Sequence, residues 1–268
     1  MQRIKAAVVQ TKSTEDIDHN LQRASELVRA AAADGATFIA LPENAAWLRI
    51  SSPTNVGEPL DGRIVTFFRD LARDVKAAVL LGSYQESSGE PHRVYNTSVL
   101  IDAAGEIGAS YRKIHLFDID IPGQVSFKES TNVAPGKDLV TCDTQGARFG
   151  LSICYDLRFP ELYRQLRDKD CDVLLVPAAF TAQTGKDHWE VLLRARAIEN
   201  QCWLLAPGQW GHHGGPRLSH GHSMIIDPWG HVVARCSDGE GYACAWLDPE
   251  LMANVRRNIP CQGHRRIG

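Results

Sequence analysis

The sequence predicts an α+β chain in which mixed β-sheets are covered by helices. Short apolar runs of strand length recur along the whole chain, and runs of helical period separate many of them. Pairs of strand-like runs joined by short glycine-containing turns interrupt that alternation, which points to antiparallel strands beside parallel ones. No internal repeat, low-complexity tract or linker divides residues 1–268, so one domain is expected throughout.

Taken in order, Ile4 to Val9 reads as a buried strand. Ile17, Leu21, Ala24, Leu27 and Val28 keep a helical period through Ala33, with Thr14 or Asp16 as N-cap and Gly35 just past the end. Thr37 to Leu41 is a second strand, running into Pro42 and Glu43. Pro53 to Pro59 is a loop, Gly62 to Val75 a helix and Ala77 to Ser83 a strand. Val94 to Ile101 and Glu106 to Tyr111 face each other across a turn containing Gly105, a hairpin that leads to Lys113. Phe117 to Pro135 is expected to be irregular, and a loop of that length in a compact chain serves function or binding. Leu139 to Cys142 and Arg148 to Ile153 follow as strands, and Pro160 opens a helix. Asp172 to Val176 is a strand, Lys186 to Asn200 a helix, Cys202 to Ala206 a strand, and Gly208 to His220 a loop. Met224 to Ile226 pairs with His231 to Arg235, Tyr242 to Leu247 is the last strand, and Pro249 begins a closing helix.

Composition narrows the class. A hydrophobic content of 44% and a charged content of 23% are ordinary for a globular protein. The net charge of −3 implies no basic face and argues against a nucleic-acid partner. Seven cysteines, an odd number without a C-x-x-C pair, suit free thiols in a reducing compartment. The N-terminal stretch lacks the apolar core and cleavage site of a secretion signal, and no apolar run approaches the roughly 20 residues that span a bilayer. A cytoplasmic protein with no membrane partner is expected. His212, His213, His220 and His222 crowd one segment, but with only Cys202 and Cys236 nearby no metal is assigned there.

Three polar residues stand just after strand-like runs: Glu43, Lys113 and Cys154. In sheets of this kind, functional groups gather at the carboxyl ends of strands. A carboxylate, an ammonium and a thiol meeting there would supply a base, an oxyanion stabiliser and a nucleophile.

Phe38-Ile39-Ala40-Leu41-Pro42-Glu43, Tyr111-Arg112-Lys113-Ile114-His115-Leu116 and Ser152-Ile153-Cys154-Tyr155-Asp156-Leu157-Arg158-Phe159-Pro160 resemble the three motif regions of the nitrilase superfamily of carbon–nitrogen hydrolases. The resemblance extends from Ile4 to about Arg266. It implies a four-layer αββα sandwich with Glu43, Lys113 and Cys154 as the catalytic set. Glu129 falls where members carry a second glutamate, and the backbone N–H of Tyr155 would join Lys113 in holding an oxyanion. Lys113 is expected to favour the Cys154 thiolate, and the two carboxylates to raise one pKa between them. Arg158 is the candidate reader of a substrate carboxylate; His222 and His115 are further candidates for the pocket.

Tyr155-Asp156 in place of Trp-Glu, together with Asp187 to Gln201, Gly221 to Gly230 and Phe117 to Gln124, resembles the Nit amidase branch of this superfamily. That resemblance implies hydrolysis of deaminated glutathione to 2-oxoglutarate and cysteinylglycine, without a cofactor. Omega-amidase chemistry on 2-oxoglutaramate or 2-oxosuccinamate, and carbamoyl amino-acid hydrolysis, are the same-class alternatives. A catalytically silent binding protein is the alternative of another class, and the intact trio argues against it. The resemblance also implies a homodimer or larger homo-oligomer, with Leu192, Ala195 and residues 249–268, including the tail arginines, at the subunit interface.

Overall fold

The computed structural model describes residues 1–52, 55–121 and 125–267, with the backbone alone at 121, 125 and 126. Part of the expected loop Pro53 to Pro59, and Pro122 to Gln124 within the expected irregular segment, lie outside the described residues.

The first half of the chain forms β1 (Ile4–Gln10), α1 (Ile17–Ala33), β2 (Phe38–Ala40), α2 (Arg63–Val75), β3 (Ala78–Leu80), β4 (Tyr84–Ser87), β5 (Val94–Ile101) and β6 (Ile107–Arg112). Asp16 caps α1, its side chain accepting from the His19 N–H at 3.1 Å. A short hairpin follows, β7 (Asp118–Ile121) and β8 (Val125–Lys128), then a 3₁₀ turn at Glu129–Thr131. The second half forms β9 (Thr141–Thr144), β10 (Ala147–Leu151), a 3₁₀ turn at Cys154–Arg158, α3 (Pro160–Asp168), β11 (Val173–Leu175), α4 (Ala182–Asn200), β12 (Trp203–Ala206) and a second hairpin, β13 (Trp210–Gly214) with β14 (Arg217–His220). It ends with β15 (Met224–Ile226), β16 (Val232–Arg235), β17 (Gly241–Leu247), α5 (Pro249–Asn258) and α6 (Cys261–His264).

Two larger sheets result. One runs β17-β1-β2-β3-β5-β4 with β6 on β5, the other β16-β15-β12-β11-β10-β9. Each has a parallel core, β1-β2-β3 in the first and β10-β11-β12 in the second, flanked by antiparallel strands. The period-2 pattern of the strands explains the layers. Ala7 and Val9 of β1, with Ile39 and Val79, face α1 and α2. Their neighbours Ala6 and Val8, with Phe38, Phe149, Leu175 and Leu205, fill the space between the sheets. Leu174 and Leu204 point the other way, onto Tyr163 and Leu166 of α3 and Trp189 and Leu193 of α4. Phe38 stacks on Phe149 across the two sheets, with centroids 4.4 Å apart and planes 5° from parallel. The order helix, sheet, sheet, helix is the expected four-layer sandwich.

Four expectations need correction. Residues around 117–135 are not wholly irregular: β7 and β8 alternate apolar and polar residues and pair as a hairpin. Likewise 208–220 folds into the β13–β14 hairpin, which glycine- and histidine-rich text concealed. α4 also begins a turn before Lys186. Arg256, expected with the other tail arginines at a subunit interface, binds within the chain to the carbonyls of Gln201 and Cys171 and to Asp172. Among the described residues no helix is long and apolar enough to cross a membrane.

Candidate active site

Glu43 leaves the end of β2 through a tight crossing. Gly82, at φ +65°, passes so near Pro42 that an added Cβ would stand 2.0 Å from its carbonyl oxygen. Asn44 then turns into the left-handed region (φ 59°), its N–H held by Ser83 Oγ at 2.9 Å. Cys154 follows β10 and takes the same region, φ 49°, which a residue with a Cβ occupies at a cost of about 1–2 kcal/mol. That kink is held by the Cys154 N–H, which donates to Pro177 O at 2.9 Å, and it turns the thiol out of the sheet toward Glu43.

The structure brings Glu43, Lys113, Glu129 and Cys154 together. Lys113, 2% exposed, donates to Glu43 Oε1 at 3.0 Å and to both oxygens of Glu129 at 3.1 and 2.9 Å. Glu43, 4% exposed, also accepts from Ala179 N at 2.8 Å, an amide of the segment between β11 and α4. The Cys154 thiol faces the same cavity as the Glu43 carboxylate, near enough that each shifts the other's protonation. Glu129 is fixed from behind by Phe117 N at 2.6 Å.

These contacts set the protons. Burial works against the Glu43 anion, but the Lys113 ammonium beside it, the Cys154 thiol and the Ala179 N–H prevail, holding its pKa below the ordinary glutamate value. Lys113 is pushed well above its ordinary value: burial opposes its charge, and Glu129 and Glu43 outweigh burial. Burial, then the Glu43 charge, push the Cys154 thiol well up, and Lys113 only partly offsets them. The resting site therefore pairs a neutral thiol with an ionised carboxylate. Both expectations about its protons are corrected: Lys113 does not make Cys154 a thiolate, and Glu43 is depressed because an ammonium lies between the two carboxylates.

Two residues that sequence reasoning missed hold this group. Asn96 on β5 donates to Glu43 Oε1 at 2.8 Å and reaches Glu129 Oε1 at 3.4 Å, while its carbonyl receives the Lys113 N–H at 2.9 Å. Asp156, fully buried, accepts from Tyr111 OH (2.7 Å), Ile153 N (2.8 Å), His115 N (3.0 Å) and His115 Nδ1 (2.7 Å). Residues flanking Lys113 are thus locked to the turn carrying Cys154. An Asn inside a strand and an Asp beside a cysteine were the available signals.

The four residues lie at the buried end of a cavity of about 530 Å³, whose walls include Phe117, Phe127, Tyr155, Phe180 and the arginines Arg49, Arg158 and Arg217. Arg158 does not pair with Asp156; its guanidinium sits 3.3 Å from His188 Nδ1 and packs on Phe180 and Tyr155, with 5.1 and 5.8 Å to the ring centroids. His115 and His222 stand outside the cavity lining, contrary to expectation. His115 is taken by Asp156 and stacks on Phe159 at 3.7 Å. His222 sits beside His220, which burial and the neighbouring ring bring down to about 4, and its carbonyl receives the Trp189 indole N–H.

Fold and site together are those of an enzyme that hydrolyses carbon–nitrogen bonds: a helix-covered double sheet with a thiol, two carboxylates and an ammonium at its strand ends. The chain belongs to the carbon-nitrogen hydrolase family, whose sequence profile matches residues 5–257. It is 42% identical over 266 residues to the deaminated glutathione amidase of Homo sapiens, covering 97% of this chain and 81% of that one. The deaminated glutathione amidase of Synechocystis is 42% identical over 269 residues, covering 97% of both chains. Among solved structures, the C. elegans NitFhit protein superposes with a TM-score of 0.91 at 37% identity, over 98% of this chain and 65% of that longer one.

Proposed function

We propose that this chain is a thiol amidase that hydrolyses the amide of deaminated glutathione to 2-oxoglutarate and cysteinylglycine. The observation that carries the chemistry is the Cys154 thiol in one cavity with the buried Glu43 carboxylate, which the Lys113 ammonium holds at 3.0 Å. The substrate reading is supported by the name shared by relatives 42% identical to the chain. It is also supported by a cavity within the about 300–1,000 Å³ range of sites that enclose drug-sized ligands.

In the proposed mechanism Glu43 takes the Cys154 proton as sulfur attacks the amide carbon. Because the thiol is the weaker acid at rest, transfer runs with S–C bond formation rather than before it. The oxyanion is met by the Lys113 ammonium and the Tyr155 N–H. The latter opens the turn between two amides already committed, that of Cys154 to Pro177 O and that of Asp156 to Ile153 O. Each such donor is worth about 10²–10³ in rate. Glu43 then protonates the leaving nitrogen, the C–N bond breaks, and a thioester with the 2-oxo acid remains. Glu43 next takes a proton from water, whose oxygen attacks the thioester, and returns it to sulfur as the S–C bond breaks. Glu129 keeps Lys113 charged and placed. Arg158, without a carboxylate partner among the described residues, holds the carboxylate of the 2-oxo acid.

The chain acts as one domain in a homo-oligomer, a reading supported by exposed apolar residues Val191 (67%) and Ile198 (47%) on α4. Comparing kcat/KM for deaminated glutathione and 2-oxoglutaramate tests the substrate reading. Preference for deaminated glutathione is expected; a more than about tenfold preference for 2-oxoglutaramate, about 1.4 kcal/mol of transition-state binding, overturns it in favour of an omega-amidase.

A further inference from the structure

We infer that Arg217 and Arg49 form a second anion site, on the leaving-group side of the cavity, which reads the terminal carboxylate of the departing dipeptide. The inference rests on the substrate reading above and adds the part of the substrate that the acyl chemistry does not use.

Arg217 comes from β14 and Arg49 from the segment after Glu43, so the two reach the cavity from different parts of the chain. The Arg217 guanidinium lies on the Phe127 ring, 4.9 Å from its centroid, and makes no hydrogen bond or ion pair with the described residues. Arg49 lies over Trp47 at 5.9 Å and binds Asn55, which is neutral. Burial lowers the pKa of each, and Arg217 lowers that of Arg49 further by like-charge repulsion. Two partly desolvated guanidinium groups thus line one cavity, and the carboxylates whose charge reaches them, Glu15, Glu43 and Glu129, are hydrogen-bonded elsewhere and pair with neither. An anionic group between them relieves both, and the planar fork of arginine suits a carboxylate.

The side of the cavity follows from the chemistry. Glu43 must face the nitrogen it protonates, so the departing group lies toward Glu43. Arg217 is the arginine that feels the Glu43 and Glu129 charges. Arg158, over the Tyr155 ring, and Arg217, over the Phe127 ring, stand at opposite ends of a row of rings: Tyr155 against Phe117 at 5.1 Å, and Phe117 against Phe127 at 6.0 Å. One cationic end therefore suits the acyl carboxylate and the other a carboxylate carried by the amine product. The substrate class is an amide bearing an anion on both sides of the scissile bond.

The test uses two substrates that differ only in that far charge: deaminated glutathione, and the same molecule with its terminal carboxylate converted to a primary amide. Wild type is expected to prefer the acid by at least about tenfold in kcat/KM. Arg217→Met and Arg49→Met should each bring the ratio of acid to amide toward one, and Arg217→Lys should keep part of it. An unchanged ratio in both methionine variants, or no preference in wild type, overturns the inference. So does an equal loss on both substrates, which would make the arginines structural. Should wild type turn over 2-oxoglutaramate but neither tripeptide form, the substrate reading itself fails.

Discussion

Asp156→Asn separates the scaffold from the chemistry, because Asp156 touches Lys113 and Cys154 only through their neighbours. Four donors converge on this carboxylate at 2.7–3.0 Å in a fully buried position. Asparagine keeps the volume but replaces one acceptor oxygen with a donating NH₂, which then faces a donor. Tyr111 OH can rotate and accept instead; Ile153 N–H cannot. Burial, and the Asp156 charge after it, keep the Tyr111 phenol protonated, so wild type loses a real donor pairing. One to two bonds to a charged acceptor are given up, at about 1.5–3 kcal/mol each before relaxation. A net loss of about 2–4 kcal/mol is expected. At about 2–4 °C per kcal/mol for a chain near this size, the melting temperature should fall by about 5–15 °C. Because the turn also aims the thiol, kcat should drop by about 10²-fold, the usual effect of misplacing a reacting group by about an ångström. Thermal unfolding followed by circular dichroism, with steady-state kinetics on the same samples, measures both. A variant that melts within about 1 °C of wild type and keeps kcat within about twofold would refute the claim that Asp156 ties the two motifs together.

The pH profile follows from the signs of the shifts. Glu43 must be ionised to accept the thiol proton, and its pKa is depressed, so the acid limb of kcat/KM should lie below the ordinary glutamate value of about 4.3; an acid limb between pH 6 and 7 would contradict the assignment. Lys113 is raised, so its pairing stabilises the fold fully below the unfolded lysine value of about 10.4. That stability is lost only as pH rises through the higher folded value, so wild type should be the more stable below about pH 10.4 and the unfolding curves of wild type and Lys113→Met should converge only above it. Asn96→Ala leaves Glu43 one donor short beside its ammonium; kcat should fall at least about tenfold with little change in KM, and a purely KM effect would place Asn96 in binding instead.

The residues at strand ends were legible because chemistry there depends on short local text. Glu43, Lys113 and Cys154 each follow an apolar run, and the sheets bring the ends of those runs together. α1 was legible down to its Asp16 cap, since period and capping agree. The cavity walls were less so. β7 and β8 carry a readable alternation, Asp118-Ile119-Asp120-Ile121 and Val125-Ser126-Phe127-Lys128, but β13 and β14 show no period and are held by their neighbours, as where Gln209, just before β13, is bonded to Ser13 and Glu43. Proton positions were misjudged for a physical reason: spacing shows which charges meet, not how deeply they are buried, and burial dominates the Cys154 thiol. His115 and His222 show the same limit, since a histidine beside a motif can face away from the cavity.

Nucleophilic attack by Cys154, with Glu43 as base, is the centre of the account, and trapping the acyl-enzyme tests it most directly. Mixing the protein with deaminated glutathione, quenching in acid within milliseconds and sequencing the modified peptide by mass spectrometry should place a 2-oxoglutaryl thioester on Cys154. Cys154→Ala should carry no adduct and release no cysteinylglycine. Undiminished hydrolysis by Cys154→Ala, or an acyl group found on any other residue, would contradict it.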